Sequence, residues 1–166
     1  MTGLQVTALA GGVGAARFLR GVVACLAEDH PGSELTIIGN TADDLRLVGL
    51  HVSPDLDTVL YTLGGGVHEE QGWGRADETF EVRAELAAYG VEPQWFTLGD
   101  RDMATHIVRT QMLGGYSLSQ VTEALGRRWL ASLPVPTQLL PMSDDRVETH
   151  VVVREPVGPP HAIHFQ

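Results

Sequence analysis

The sequence predicts an α/β fold in three layers, a mostly parallel sheet with helices on both faces. Three observations carry that expectation. Short apolar runs of strand length recur at residues 4–10, 35–39, 94–98 and 139–140, as buried parallel strands do because both of their faces are covered. Segments with apolar residues at helical spacing lie between them. Glycine-rich or acidic loops follow the runs, at the strand ends where open α/β sheets bind ligands.

The first strand, residues 4–10, ends in Gly11-Gly12-Val13-Gly14. Residues 15–28 then place Ala15, Phe18, Leu19, Val22, Val23 and Leu26 on one helical face. A Pro31-Gly32 turn leads to the second strand at 35–39. This is a βαβ unit of Rossmann-like type, whose first loop can aim backbone N–H groups at a phosphate. Gly12 and Gly14 match the first two glycines of G-x-G-x-x-G, but Arg17 stands at the third and no Walker Lys-Ser/Thr follows. Arg17 either pairs a phosphate or lies on a solvated face. Asn40-Thr41 stands where a dinucleotide fold carries an acid for the ribose, which disfavours a nicotinamide cofactor.

Four carboxylates, Asp43, Asp44, Asp55 and Asp57, come next within fifteen residues. Ser53 is expected to cap a helix over 54–63, with Pro54 in its first turn and Asp55 and Asp57 opposing the dipole. A cap worth about 1 kcal/mol and first-turn acids worth roughly 0.3–1 kcal/mol account for these residues without any function. The Asp43-Asp44 pair has no such account. Like carboxylates brought together need a cation between them, or one must take up a proton.

Gly64-Gly65-Gly66 closes that helix and opens a flexible loop, in which Trp73 stands between two glycines, either over a flat ligand or as a core plug. A helix over 79–89 and a strand over 94–98 follow, then Gly99-Asp-Arg-Asp102 opening a helix that runs to Leu113, with Asp100 or Asp102 as its cap. Ser117 and Gln120 form a capping box for a helix reaching Leu130. Leu139-Leu140 runs into the acidic turn 143–145, and residues 149–153 with 162–165 are expected to pair as a hairpin.

The composition narrows the partners. One domain spanning 1–166, with one core, suits this length. A net charge of −10 argues against nucleic acid or an anionic membrane as partner. Cys25, the single cysteine, excludes an internal disulfide and reads as a core residue. No apolar run is long enough to span a bilayer and no signal segment is evident, so a cytoplasmic protein is expected. His106, His150, His161 and His164 lack the i, i+4 spacing of a histidine metal pair and read as structural or solvated. No G-x-S-x-G elbow is present. Residues 161–166 look like a strand that breaks off, so the chain is expected to be the N-terminal part of a longer one.

Four blocks together resemble one family: Gly11-Gly-Val-Gly14; Asn40-Thr-Ala-Asp-Asp44 with Ser53-Pro-Asp-Leu-Asp-Thr58; Leu98-Gly-Asp-Arg-Asp102 with Ala104-Thr-His106; and Leu140-Pro-Met-Ser-Asp-Asp145. The family is CofD, the phospholactate transferases of deazaflavin coenzyme biosynthesis. Tyr61-Thr-Leu-Gly-Gly-Gly66 and Gly72-Trp-Gly74 look more like its FbiA branch. The resemblance implies a magnesium-dependent transfer in which the terminal hydroxyl of the deazaflavin FO attacks a lactyl- or enolpyruvyl-diphosphoguanosine donor and GMP leaves. It implies GDP binding, and places the donor nucleotide and phosphates at Gly11, Gly12, Gly14, Arg17, Asn40 and Thr41. The acceptor is expected at Asp57, Trp73, Thr97, Asp100, Arg101, Met142, Ser143 and Asp144.

Within that reading geometry divides the acids. Asp55 and Asp57 project about 200° apart on a helix and do not share one ion. Magnesium is therefore assigned to Asp43 and Asp55, and Asp44 and Asp57 are left to orient FO or accept its proton. Family members are roughly twice as long, so these 166 residues alone are expected to bind FO weakly, to transfer nothing, and to associate, a homodimer included, through an open strand edge. A related group of nucleotide-sugar-binding regulators shares the glycine loop and the Asn-Thr-x-Asp-Asp pattern, and is the alternative function.

Overall fold

The computed structural model describes residues 3–92, 97–155 and 158–164. Three parallel strands, β1 (Gln5–Ala10), β2 (Glu34–Gly39) and β5 (Thr137–Pro141), lie in the order β1-β2-β5. The register aligns Ala8, Ile37 and Leu139 in one row and Leu9, Ile38 and Leu140 in the next, so successive rows face opposite sides of the sheet. The first row faces α1 (Val13–Asp29), α2 (Pro54–Leu63) and α5 (Leu118–Leu130), with Ile37 and Leu139 buried and Ala8 partly so, and side chains of all three helices join its core cluster. This is the Rossmann-like α/β arrangement that the alternating pattern predicts. On the other face Leu9 is 81 % exposed, and none of the helices among the described residues packs over it.

Helix α2 organises the core. Every residue from Leu56 to Leu63 is buried, and Leu56, Val59 and Leu60 have no exposed surface, each worth about 1.5–3 kcal/mol of burial. Pro54 stands in the first turn as expected, but Ser53 does not cap: its hydroxyl donates to Asp44 Oδ2 at 2.8 Å. The glycines after the helix are not a loose loop either. A Cβ on Gly64 would lie 2.7 Å from the Trp129 ring and one on Gly66 2.4 Å from it, so both are small because the indole of α5 packs there.

Helix α5 carries the expected capping box, with both reciprocal bonds between Ser117 and Gln120. Helix α3 (Glu81–Ala88) buries no residue, and α4 (Asp100–Met112) buries Thr105, His106 and Arg109. The expected strand over 94–98 falls largely on 93–96, outside the described residues; Thr97 and Leu98 are not in a strand. A hairpin of β3 (Leu45–Leu47) and β4 (Leu50–Val52) adds to the expected elements, and its Leu47 and Val52 pack with Leu98 in a second small cluster. The later hairpin is present as β6 (His150–Val153) and β7 (His161–His164). Cys25 is exposed on α1, not in the core, and its thiol lies 3.6 Å from Asp29 Oδ2.

Candidate functional site

The site begins where β1 and β2 end side by side. Gly12 is the N-cap of α1, which leaves the first backbone N–H groups of that helix without helical partners. At the end of β2, Asn40 keeps its backbone in the ladder through a bond to Ala10, and its side-chain oxygen accepts from Ala42 N–H at 3.1 Å. The amide nitrogen is thereby turned outward, and donates to Asp55 Oδ2 at 2.8 Å and to Asp43 Oδ2 at 3.5 Å. Asp55, in the first turn of α2, lies against the glycine loop: a Cβ on Gly12 would come within 2.7 Å of its Oδ1. Burial pushes the Asp55 carboxyl up; the Asn40 bond opposes this, and the charges of Asp43 and Asp44 add to it.

Two positions on, Asp57 faces the other way, as a helix requires. Both its oxygens are held by the buried Arg109 guanidinium of α4, with Nη1 to Oδ2 at 2.9 Å and Nη2 to Oδ1. His106 is 1 % exposed; its Nδ1 is 3.1 Å from Arg109 Nη1 and its Nε2 is 3.4 Å from Asp102 Oδ2. The Tyr61 hydroxyl donates to Asp102 Oδ1 at 2.6 Å. Burial first, then the charges of Asp57 and Asp102, push the Tyr61 phenol far up, so it stays a neutral donor. Burial alone would raise Asp102, but His106, Tyr61 and Arg109 more than offset it and hold the carboxyl below its usual range. Asp57, Asp102 and His106 lie close enough to share a cation. The Arg109 guanidinium already supplies the positive charge there.

Asp44 faces away from this network. It is 8 % exposed, and its Oδ2 accepts from Ser53 and meets His51 Nε2 at 2.9 Å.

Of the residues singled out in the sequence, Gly12, Asp55, Asp57, Trp73 and Thr97 line one cavity of about 280 Å³. Thr41, Asp44 and Asp144 line a second of about 470 Å³. Trp73 is 46 % exposed, so it is not a core plug, and left-handed Gly72 and Gly74 flank it. Arg17 Nη2 donates to the Glu69 carbonyl at 3.2 Å. Asp100 accepts from Thr79 Oγ1 and from the N–H groups of Glu81 and Val82, capping α3, while Arg101 is exposed and reaches toward the Ala76 carbonyl at 3.5 Å. Neither Asp100 nor Asp102 caps α4; Glu78 does, accepting from Arg101 and Asp102 N–H at 2.8 Å each. Met142 is exposed, Ser143 Oγ accepts from Asp145 N–H, and Asp144 Oδ1 accepts from Ser119 N–H. Gly11 and Gly14 are exposed beside Gly12.

The residue pattern does not by itself single out Asp102, His106 and Arg109 as a set. The available signal was an i, i+4, i+7 spacing of Asp, His and Arg on α4, visible only when acids are counted with the histidines.

Comparison with known proteins agrees with the four sequence blocks. A phosphoenolpyruvate transferase of Kitasatospora aureofaciens is 62 % identical over 164 residues, covering 98 % of this chain and 49 % of the relative. One from Streptomyces griseus is 65 % identical with the same coverage, and one from Thermobifida fusca is 61 % identical over 98 % of this chain and 51 % of its own length. The chain thus spans about half the length of the curated relatives it matches. The family model for 2-phospho-L-lactate transferase CofD matches residues 6–157, and the chain belongs to that family.

Proposed function

We propose that this chain forms the phosphate- and acceptor-binding part of a transferase that moves a phosphoenolpyruvate or phospholactate group from a diphosphoguanosine donor to the terminal hydroxyl of the deazaflavin FO, releasing GMP. The observation that carries the reading is the approach of Asp55 to the Gly11-Gly12 loop. It sets a carboxylate beside a helix N-terminus able to bind an anion, and a cation between acid and phosphate makes the two compatible while the acid stays ionised.

Magnesium fits the donor set. Asp43 and Asp55 meet through one amide, Asn40, and burial, with the charges of Asp43 and Asp44 added to it, pushes the Asp55 carboxyl up. Such an ion is usually held by one or two carboxylates and substrate phosphates, and it neutralises charge on the transferred group. The chain's own part is to point the α1 N–H groups at phosphate, to orient Asp43 and Asp55 through Asn40, and to present Trp73 to a flat acceptor. Asp57 serves this reading by holding α2 to α4, because Arg109 takes both of its oxygens.

Thermal-shift titration of the chain tests the reading. Stabilisation by FO, increased by GDP with magnesium, is expected. A response to UDP-sugars with none to FO would transfer the chain to the nucleotide-sugar-binding alternative.

A further inference from the structure

We propose that Asp102 is the group that takes the proton from the acceptor hydroxyl as that oxygen attacks phosphorus; the proposal rests on the transferase reading above. The cavity beside Gly12 and Asp55 adjoins a larger one of about 520 Å³, and the two share a wall made by Trp73, Gly74, Thr97 and Asp102. A flat acceptor with a flexible polyol tail matches that pair of spaces. The ring lies in the larger one beside Trp73, and the tail crosses the shared wall toward the phosphate end. Its terminal hydroxyl then meets Asp102 at the crossing.

Three other acids of the region have partners of their own. Asp57 has both oxygens on Arg109, and Asp44, beside a different cavity, gives one oxygen to Ser53 and His51 while its other is buried without a hydrogen-bond partner. Asp55 faces Gly12 and Asn40. Asp102 keeps 14 % of its side chain exposed, with Tyr61 behind one oxygen and His106 behind the other. Arg109 is a donor only, so His106 Nδ1 accepts from it, which leaves the ring proton on Nε2, 3.4 Å from Asp102 Oδ2 and without a hydrogen-bond partner of its own. His106 is therefore a positioning residue that backs the carboxylate and favours its ionised form.

A weak base suffices here, because phosphoryl-type transfer has little covalent work for the protein to do; protein kinases use an Asp to accept the substrate hydroxyl proton in the same way. In the step, the hydroxyl oxygen forms its bond to phosphorus, the bond from phosphorus to the GMP oxygen breaks with its electron pair leaving on GMP, and the proton passes to Asp102.

The test uses a hybrid in which residues 1–166 replace the matching half of the Kitasatospora aureofaciens relative. Asp102→Asn keeps the size and the acceptor for Tyr61 but cannot take the proton. A fall in kcat of about 10²–10⁴-fold is expected, with KM for FO and its calorimetric dissociation constant within about threefold of the unaltered hybrid. An FO analogue whose terminal carbinol is made more acidic by fluorine should recover part of that loss. His106→Gln should lower kcat by roughly tenfold without changing FO affinity, and reports on the same assignment where Asp102→Asn does not fold. Turnover kept within about threefold in either variant, or a loss confined to KM, overturns the assignment. An unaltered hybrid that transfers nothing overturns the transferase reading and this proposal with it.

Discussion

Arg109 on α4 grips Asp57 on α2 with both terminal nitrogens, in a pair with almost no water contact, the arginine 1 % and the aspartate 4 % exposed. The two acids of the first turn of α2 therefore divide their work: Asp57 fastens the helix, and Asp55 is free to face the glycine loop. Burial alone would lower the Arg109 pKa, but Asp57 more than offsets it and holds the guanidinium above its ordinary value.

Breaking one side of that pair leaves a buried charge alone. Arg109→Met is expected to cost about 3–5 kcal/mol, read as a lower urea midpoint. Asp57→Asn combined with Arg109→Met should cost less than the arginine change alone. Arg109→Lys should recover only part, since an ammonium cannot make the forked contact.

Asp55→Asn should behave in the opposite sense. The folded pKa of Asp55 is raised, so ionisation costs the fold as pH rises through the ordinary carboxyl range of about 3.9. Removing the charge should raise Tm at pH 7 in the absence of ligand and, on the proposed function, abolish any magnesium-dependent response to GDP. A lower Tm would return Asp55 to a purely stabilising role.

Tyr61 sets an alkaline limit. Its folded pKa is raised above the unfolded value of about 10, so its contribution is fully present below that pH and is lost as pH rises beyond it. Calorimetry from pH 8 to 11 should show Tm falling past about pH 10, with a shallower fall in Tyr61→Phe.

Two glycines separate fold from site. A Cβ at Gly39 would lie 2.4 Å from Leu56 Cδ2 and 3.4 Å from Leu139 Cδ1, so Gly39→Ala should destabilise by about 1–3 kcal/mol. A Cβ at Gly12 meets only the carboxyl end of the Asp55 side chain, so Gly12→Ala should melt near the unaltered chain while, on the proposed function, losing any response to GDP.

Leu9, at 81 % exposure, and Met142, at 45 %, stand on or beside the uncovered sheet face. The 166-residue chain is expected to bind a hydrophobic dye or to self-associate, and Leu9→Lys should reduce both. A monodisperse chain that ignores the dye would show that face to be tolerated by water.

What the sequence made legible was local. The βαβ unit, α2 and the capping box of α5 are each written in contiguous residues, by strand-length apolar runs, helical spacing and cap chemistry. What escaped was set by distant partners or by strain. The β3–β4 hairpin turns on Val48 and Gly49, both at positive φ, where a two-residue turn usually carries Asn-Gly; a β-branched residue there gives no signal. Ser53 has the chemistry of a cap, but Asp44, nine residues back, is its partner. The cap of α4 comes from Glu78, far enough upstream that no pattern within the helix announces it. Asp57 and Arg109 are 52 positions apart, and their pairing bridges two helices, α2 and α4, that no local pattern links.

Glu78 closes the start of α4, and Asp100, the first residue of α4, closes the start of α3. Each helix end is thus latched by an acid from the other's neighbourhood, and the backbone adds a tie from Asp100 N–H to the Thr79 carbonyl. Both latches join the same two segments, 78–82 and 100–102, so the amides of Glu81, Val82, Arg101 and Asp102 should exchange with deuterium as one cooperative unit. Glu78→Gln should speed exchange at Glu81 and Val82, which Glu78 does not touch, as well as at its own two amides.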